Sequence, residues 1–102
     1  MFTPRYQNEQ TDDLVKSILA LENVEEAYRF LEDVLTIQEM KSITQRLEVA
    51  VMLRNKETYQ EIVRKTGAST TTIGRVNRAL QYGADGYAIV LARLADQVQE
   101  SE

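Results

Sequence analysis

Several residue types that often carry chemistry are missing from this chain. It has no cysteine and no histidine, so it offers no disulfide, no thiolate, and neither the commonest general base nor the commonest metal ligand. Its four glycines, at positions 67, 74, 83 and 86, form no phosphate-binding loop of the GxGxxG or Walker type. We therefore predict that the protein is not an enzyme, holds no metal and needs no cofactor.

Long apolar runs are also missing. No stretch is long enough to span a membrane, and the N-terminal sequence MFTPRYQNEQ lacks the apolar segment of a secretory signal. We therefore expect no membrane partner and a cytoplasmic location. The 102 residues are typical of one domain, and a hydrophobic content of 43% is sufficient for a core.

Apolar residues recur at helical spacing along most of the chain. Residues 1–10 contain the only proline and little apolar content, so we expect a flexible arm there. A single all-helical domain is predicted over residues 11–99. Thr11 or Asp12 is expected to cap its first helix, and Asp85 is expected to cap its last helix.

Three further helix starts share one local pattern. Asn23, Thr36 and Thr58 are each followed by glutamate three residues later, which is the spacing of a capping box. With the first and last helices and a helix that follows Ser69, the sequence predicts an all-α fold of six helices without strands.

The stretch from residue 58 to 80 predicts two short helices joined by a tight turn. Thr58 can cap the first helix, and Gly67 can take a positive φ that ends it. Ser69 can cap the second helix, which runs to about Leu80. Two short helices with a glycine-containing turn are typical of the helix-turn-helix motif that reads the DNA major groove.

The second helix of this motif has two different faces. Ile73, Val76 and Leu80 fall at i, i+3 and i+7 and make one apolar stripe. The opposite face carries small and basic residues, namely Thr71, Gly74, Arg75 and Arg78.

Hydroxyl groups at the start of the second helix can bond phosphate oxygens or base edges, and the helix dipole favours phosphate. Basic side chains nearby can add phosphate contacts. We therefore predict that double-stranded DNA is contacted by Gln60, Arg64, Lys65, Ser69, Thr70, Thr71, Thr72, Arg75 and Arg78.

Charge is unevenly distributed along the chain. Residues 54 to 80 contain six basic and two acidic side chains and so carry +4, whereas the whole chain carries −4. The remaining residues therefore carry −8. A basic segment in an acidic protein is the charge pattern expected of a DNA-facing surface.

Size and specificity both favour a homodimer. A domain this small buries only a modest share of its surface alone, and a single helix-turn-helix reads too few base pairs for useful specificity. Two copies would present two recognition helices about one DNA turn apart. The alternative is a monomer whose terminal helices close the core.

A set of motifs between residues 34 and 80 resembles one known family. The matching residues are Val34-Leu35-Thr36, Arg46, Thr58, Glu61-Ile62, Thr66-Gly67-Ala68, Thr72-Ile73 and Arg75. Together they resemble the bacterial Trp repressor family, and more closely its YerC/YecD-type branch of TrpR-like proteins. The resemblance implies an intertwined all-helical homodimer that regulates transcription by binding an operator.

The resemblance also implies a possible effector site. Trp repressors hold their corepressor between the third helix and the recognition helix with two arginines, whose positions match Arg46 and Arg75 here. A guanidinium can stack on an indole ring or bind a carboxylate. Leu35, Thr36 and Thr72 match further positions of that pocket.

Two positions depart from the family pattern. Val76 stands where the family has the glycine that leaves room for the indole, and Ala79 stands where it has a ligand-binding serine. The added isopropyl group fills space that the ring needs, so we expect that tryptophan is not the ligand. Arg46 and Arg75 are then expected to be surface arginines or to bind DNA phosphates.

The function predicted from the sequence is a dimeric, sequence-specific DNA-binding regulator that represses by occlusion. One alternative is a repressor gated by tryptophan or another small molecule. A second is a helical protein-interaction module whose basic patch binds an acidic protein. The hydroxyl-rich helix start favours DNA over the interaction module.

Overall fold

The computed structural model describes residues 1–101, and the side chains as far as residue 97. The described residues form α-helices and no strands, which confirms the predicted all-α fold. The six helices are α1 (Glu9–Leu19), α2 (Val24–Val34), α3 (Ile37–Arg54), α4 (Tyr59–Thr66), α5 (Thr70–Tyr82) and α6 (Gly86–Ser101).

The predicted caps at the internal helix starts are confirmed. Asn23 Oδ1 accepts a hydrogen bond from the Glu26 backbone N–H at 2.9 Å. At Thr36 both halves of the capping box form: its hydroxyl accepts from Glu39 N–H at 3.1 Å, and the Glu39 carboxylate accepts from Thr36 N–H at 2.9 Å. The second bond lowers the pKa of Glu39, because it stabilises the charged carboxylate.

The predicted cap of the first helix was wrong, and the last helix begins where predicted but with a different conformation at Asp85. α1 begins at Glu9 and is capped by Asn8, not by Thr11 or Asp12, because the extended residue Asn8 accepts a hydrogen bond from Thr11 N–H at 2.7 Å. The last two residues of the predicted arm are therefore helical. α6 begins at Gly86, directly after Asp85 as predicted, although Asp85 has a left-handed φ of 65° instead of the extended conformation usual for a cap. Its backbone carbonyl accepts from Ile89 N–H at 3.0 Å.

Contacts within the chain divide it into two compact units, Met1–Met40 and a second that starts at Lys41. The core lies in the second unit, where α4 packs on α5 and α5 packs on α6. Its buried residues are Val49, Ala50, Ile62, Ala68, Ile73, Val76 and Leu91.

The predicted apolar stripe of α5 is confirmed, since Ile73 and Val76 are buried and Leu80 packs against the core. The apolar residues of α3 are not all buried: Val49 is fully buried, whereas Val51 is 40% exposed. The α3 sequence is apolar on more than one side, so its buried side is decided by the helices that pack on it.

The first unit has no buried residue. Each of its helices has an apolar row, and these rows are exposed to solvent. They comprise Leu14, Val15, Ile18 and Leu19 on α1, and Val24, Tyr28, Leu31 and Val34 on α2. Exposed apolar surface of this extent is typical of surfaces that bind another protein.

Among the described residues, no helix is both long enough and apolar enough to cross a membrane.

Adjacent residues of α4 provide a test of its orientation. Ile62 is fully buried and Val63 is 37% exposed. We expect Ile62→Ala to lower the free energy of unfolding by about 2–5 kcal/mol, because it leaves a cavity among packed side chains. Val63→Ala is the matched control and should cost less than about 1 kcal/mol. Urea unfolding measures both, and equal losses would contradict this orientation of α4.

Candidate nucleic-acid interface

The turn between α4 and α5 has the geometry of a helix-turn-helix. Thr58 caps α4 by accepting from Glu61 N–H at 3.2 Å. Gly67 ends α4 with a left-handed φ of 74°, which glycine adopts without steric cost, and its N–H donates to Val63 O at 2.9 Å. Ser69 then caps α5 by accepting from Thr72 N–H at 3.1 Å. All three features match the sequence prediction.

Two side chains that sequence reasoning missed hold this turn in place. The Thr66 hydroxyl donates to Ile62 O at 2.7 Å and accepts from Ala68 N–H at 3.0 Å, so it bridges the end of α4 and the turn. The Gln45 amide on α3 donates to Thr66 O at 3.2 Å. A threonine that precedes Gly67 was a local signal for the first contact, but only the packing of α3 against the turn reveals the second.

The hydroxyl groups at the start of α5 differ in what they can do. Ser69 caps the helix and its hydroxyl also donates to the Thr72 hydroxyl at 3.1 Å, so these two side chains are partly occupied. Thr70 and Thr71 are exposed. Of the four hydroxyl residues predicted to contact DNA, Thr70 and Thr71 are thus the ones best placed to bond an external group.

The predicted DNA-contacting cations fall into two classes. On α4, the Arg64 guanidinium contacts the Glu61 carboxylate at 2.6 Å, and Lys65 Nζ contacts the Glu57 carboxylate at 2.5 Å. On α5, Arg75 and Arg78 are exposed, and neither forms an ion pair with any residue that the structure describes. Gln60, the remaining predicted contact, is an exposed residue of α4.

The pairing changes the electrostatics of α4. The hydrogen bond from Arg64 lowers the pKa of Glu61, and the same contact raises the pKa of Arg64, because each charged form stabilises the other. Ion pairs on the surface contribute little to stability, so an external phosphate can replace these carboxylates at small cost. Among the predicted DNA-contacting cations, the two without an ion pair to a described residue, Arg75 and Arg78, thus both lie on α5.

A cavity of about 240 Å³ lies between α3, α5 and α6. It is lined by Ser42, Gln45, Arg46, Thr72, Arg75, Val76, Ala79 and Tyr87. Three of the predicted effector residues, Arg46, Thr72 and Arg75, thus meet at one cavity. The other two, Leu35 and Thr36, belong to the first unit.

Three lining residues bear on what this cavity can hold. Val76 is only 2% exposed, so its isopropyl group occupies the cavity wall beside the two arginines. Tyr87 of α6, which sequence reasoning did not single out, adds an aromatic ring to the same wall. Arg46 also lines a larger, mostly apolar cavity of about 520 Å³.

Among the residues that the structure describes, no group of carboxylates is arranged to hold a metal ion.

Comparison with known proteins relates this arrangement to a family. The family model for Trp repressor protein matches residues 9–95. The uncharacterised protein YerC of Bacillus subtilis is 48% identical over 97 residues, which cover 95% of this chain and 93% of YerC.

Two crystal structures have the same fold. A TrpR-like protein from Eubacterium eligens is 53% identical with a TM-score of 0.83, and the match covers 87% of this chain and 92% of that one. A candidate Trp repressor from Staphylococcus aureus is 45% identical with a TM-score of 0.82, over 87% and 89% of the two chains. The family match, the identity to YerC and the six-helix fold lead to one conclusion: the chain belongs to the Trp repressor family.

Proposed function

We propose that this protein is a sequence-specific DNA-binding regulator that acts as a homodimer, with α5 as its recognition helix. The observation that carries the proposal is the outer side of α5. It presents two exposed threonine hydroxyls at its start and two exposed, unpaired arginines further along, while Ile73 and Val76 fix the opposite side in the core. Hydroxyls and guanidinium groups are the donors that bind phosphates and base edges.

Family membership supports this proposal. The Staphylococcus aureus relative is described as a candidate Trp repressor. A protein of this kind acts by binding and not by catalysis, and it works in the cytoplasm beside the chromosome. Occlusion of a promoter by the bound dimer would make it a repressor.

The exposed apolar rows of the first unit are the reason for proposing a dimer. The rows on α1 and α2 have no cover within the unit, where no residue is buried. A second copy of the chain offers the same rows, and a two-fold pair would bury both. Residues 11–99 would then complete a single domain within the dimer.

An effector site is a second candidate function, favoured by the meeting of Arg46, Thr72 and Arg75 at one cavity. Two guanidinium groups suit a small anionic ligand. We propose that tryptophan is not that ligand, because Val76 fills space where the Trp repressor family has glycine.

The oligomeric state provides the first test. Sedimentation of the protein at micromolar concentration should give twice the chain mass of 11.7 kDa. Leu31→Glu, which puts a carboxylate in the apolar row of α2, should shift the mass towards the monomer. Arg29→Glu adds the same group at an exposed position of α2 outside the row and should leave the dimer intact. A parent protein that sediments as a monomer would contradict the dimer.

The recognition helix can be tested with DNA fragments selected from the source genome. Arg78→Ala should weaken binding to selected and unrelated DNA alike and lower the slope of log affinity against log salt by about one unit. Lys65→Ala should act in the same way. Arg93→Ala removes the same charge from an exposed position on α6 and serves as the control.

Thr71→Ala should change sequence preference instead, because a base contact costs about 1–3 kcal/mol at one position of the site. Competition binding against single-base variants of the selected fragment measures this. If Thr71→Ala and Arg78→Ala both bound every probe like the parent protein, α5 would not be the recognition helix.

The effector prediction concerns Val76. L-Tryptophan should give no binding heat with the parent protein and should leave its DNA affinity unchanged. Val76→Gly should open space for weak indole binding, at a cost of about 2–4 kcal/mol in stability from lost packing and helix propensity. Ala79→Ser restores the other family residue without opening space, so it should not bind tryptophan. Micromolar tryptophan binding by the parent protein, accompanied by tighter DNA binding, would promote the gated-repressor alternative.

A further inference from the structure

Gly74 lies in the interior of α5 without a structural reason to be glycine. An ideal Cβ added at this position meets no atom within 4 Å, so no neighbour in the described chain excludes a side chain. Its φ is not in the left-handed region, so the backbone does not require glycine either. Alanine would therefore fit this position in the folded protein.

Two other glycines, by contrast, have a structural reason to be glycine. Gly67 has a φ of 74°, and a Cβ on Gly83 would collide with the carbonyl oxygen of Ala79. Gly74 has neither feature. Glycine inside a helix is unfavourable, since it loses the most backbone entropy on folding and contributes no packing. Stability alone would favour almost any ordinary residue at this position.

The position of Gly74 on α5 suggests what the missing side chain permits. Gly74 follows Thr70 by four residues and precedes Arg78 by four, so these three residues form one row along the helix. Thr70 and Arg78 are exposed. The row thus has a hydroxyl at one end, a guanidinium at the other, and bare helix backbone between them.

We propose that Gly74 is the point where α5 approaches DNA most closely, and that a base-pair edge in the major groove occupies the space beside it. This inference rests on the DNA-binding function proposed above. It assigns to Gly74 a role in DNA sequence specificity that depends on its lack of a side chain. The base pair beside Gly74 is recognised by its shape. A side chain at residue 74 would hold α5 away from that base pair.

A base edge fits this space better than a phosphate. Arg75 and Arg78 have long side chains that can reach phosphates from a distance, so close backbone approach adds little to those contacts. Recognition helices contact base edges with residues of their N-terminal part, and Gly74 is in the first half of α5. The exposed hydroxyls of Thr70 and Thr71 lie one turn earlier and would face the neighbouring base pairs.

The test compares Gly74→Ala and Gly74→Gln with the parent protein. Both new residues are good helix formers without charge, and they differ in length. Gly86→Ala is the matched control, because it adds the same methyl group at the start of α6, where a Cβ also meets nothing within 4 Å. Each protein is measured for Tm, for sedimentation, and for affinity to the genome-selected fragment and to unrelated DNA of equal length.

We expect Gly74→Ala to raise Tm by roughly 2–8 °C, as expected for glycine replaced by alanine inside a helix of a domain this size. The same change should weaken binding to the selected fragment about tenfold, and Gly74→Gln should weaken it further. Binding to unrelated DNA should change much less, because non-specific binding depends on phosphate contacts. Gly86→Ala should leave both affinities unchanged.

Several results would overturn the inference. If Gly74→Ala binds the selected fragment like the parent protein while Arg78→Ala weakens binding, close approach at Gly74 is wrong and the DNA-binding function stands. Equal losses on selected and unrelated DNA would mean that no base edge is read there. A lower Tm or a changed sedimentation mass for Gly74→Ala would mean that protein atoms fill the space. If the parent protein binds no DNA, both the inference and the proposed function are wrong.

Discussion

The helix-turn-helix depends on the hydrogen bonds around Thr66. Its hydroxyl bridges Ile62 O and Ala68 N–H, and its backbone carbonyl accepts from the Gln45 amide of α3. These three contacts fix the end of α4, the left-handed residue Gly67 and the start of α5 relative to α3. Because Ala68 is buried directly after the turn, the chain has little freedom to change the angle at which α5 leaves it.

The two opposite sides of α5 have different roles. Its inner side supplies Ile73 and Val76 to the core, so its rotation about its own axis is set by packing. Its outer side is thereby committed to solvent, where it presents hydroxyls, arginines and the bare backbone at Gly74. Packing of the inner side therefore decides which residues the outer side presents, which links the fold to the proposed reading of DNA.

One residue of the inner side also bears on the proposed effector site. Val76 is both a core residue and part of the wall of the cavity between Arg46 and Arg75. In the Trp repressor family the corresponding glycine leaves that space open. The valine contributes apolar burial to the fold, and the same methyl groups reduce the room for an aromatic ligand. In the proposed effector site, stability and room for a ligand therefore compete at the side chain of Val76.

Much of this could be predicted from the sequence. Caps at Asn23, Thr36, Thr58 and Ser69, and the left-handed Gly67, follow from local hydrogen bonding and backbone sterics, which depend on a few neighbouring residues. The buried stripe of α5 follows from helical periodicity. Asn8 was missed as the first cap, although the bond that it accepts from Thr11 N–H is equally local.

Only the tertiary structure decided features that join residues distant in the chain. Val49 instead of Val51 is buried because the helices that pack on α3 select one of its apolar sides. Gln45 reaches Thr66 across 21 positions, and Tyr87 joins Arg46 and Arg75 at one cavity. The sequence by itself determined helices, caps and the turn, because those obey short-range rules; packing decided which surfaces face the core, the cavity and solvent.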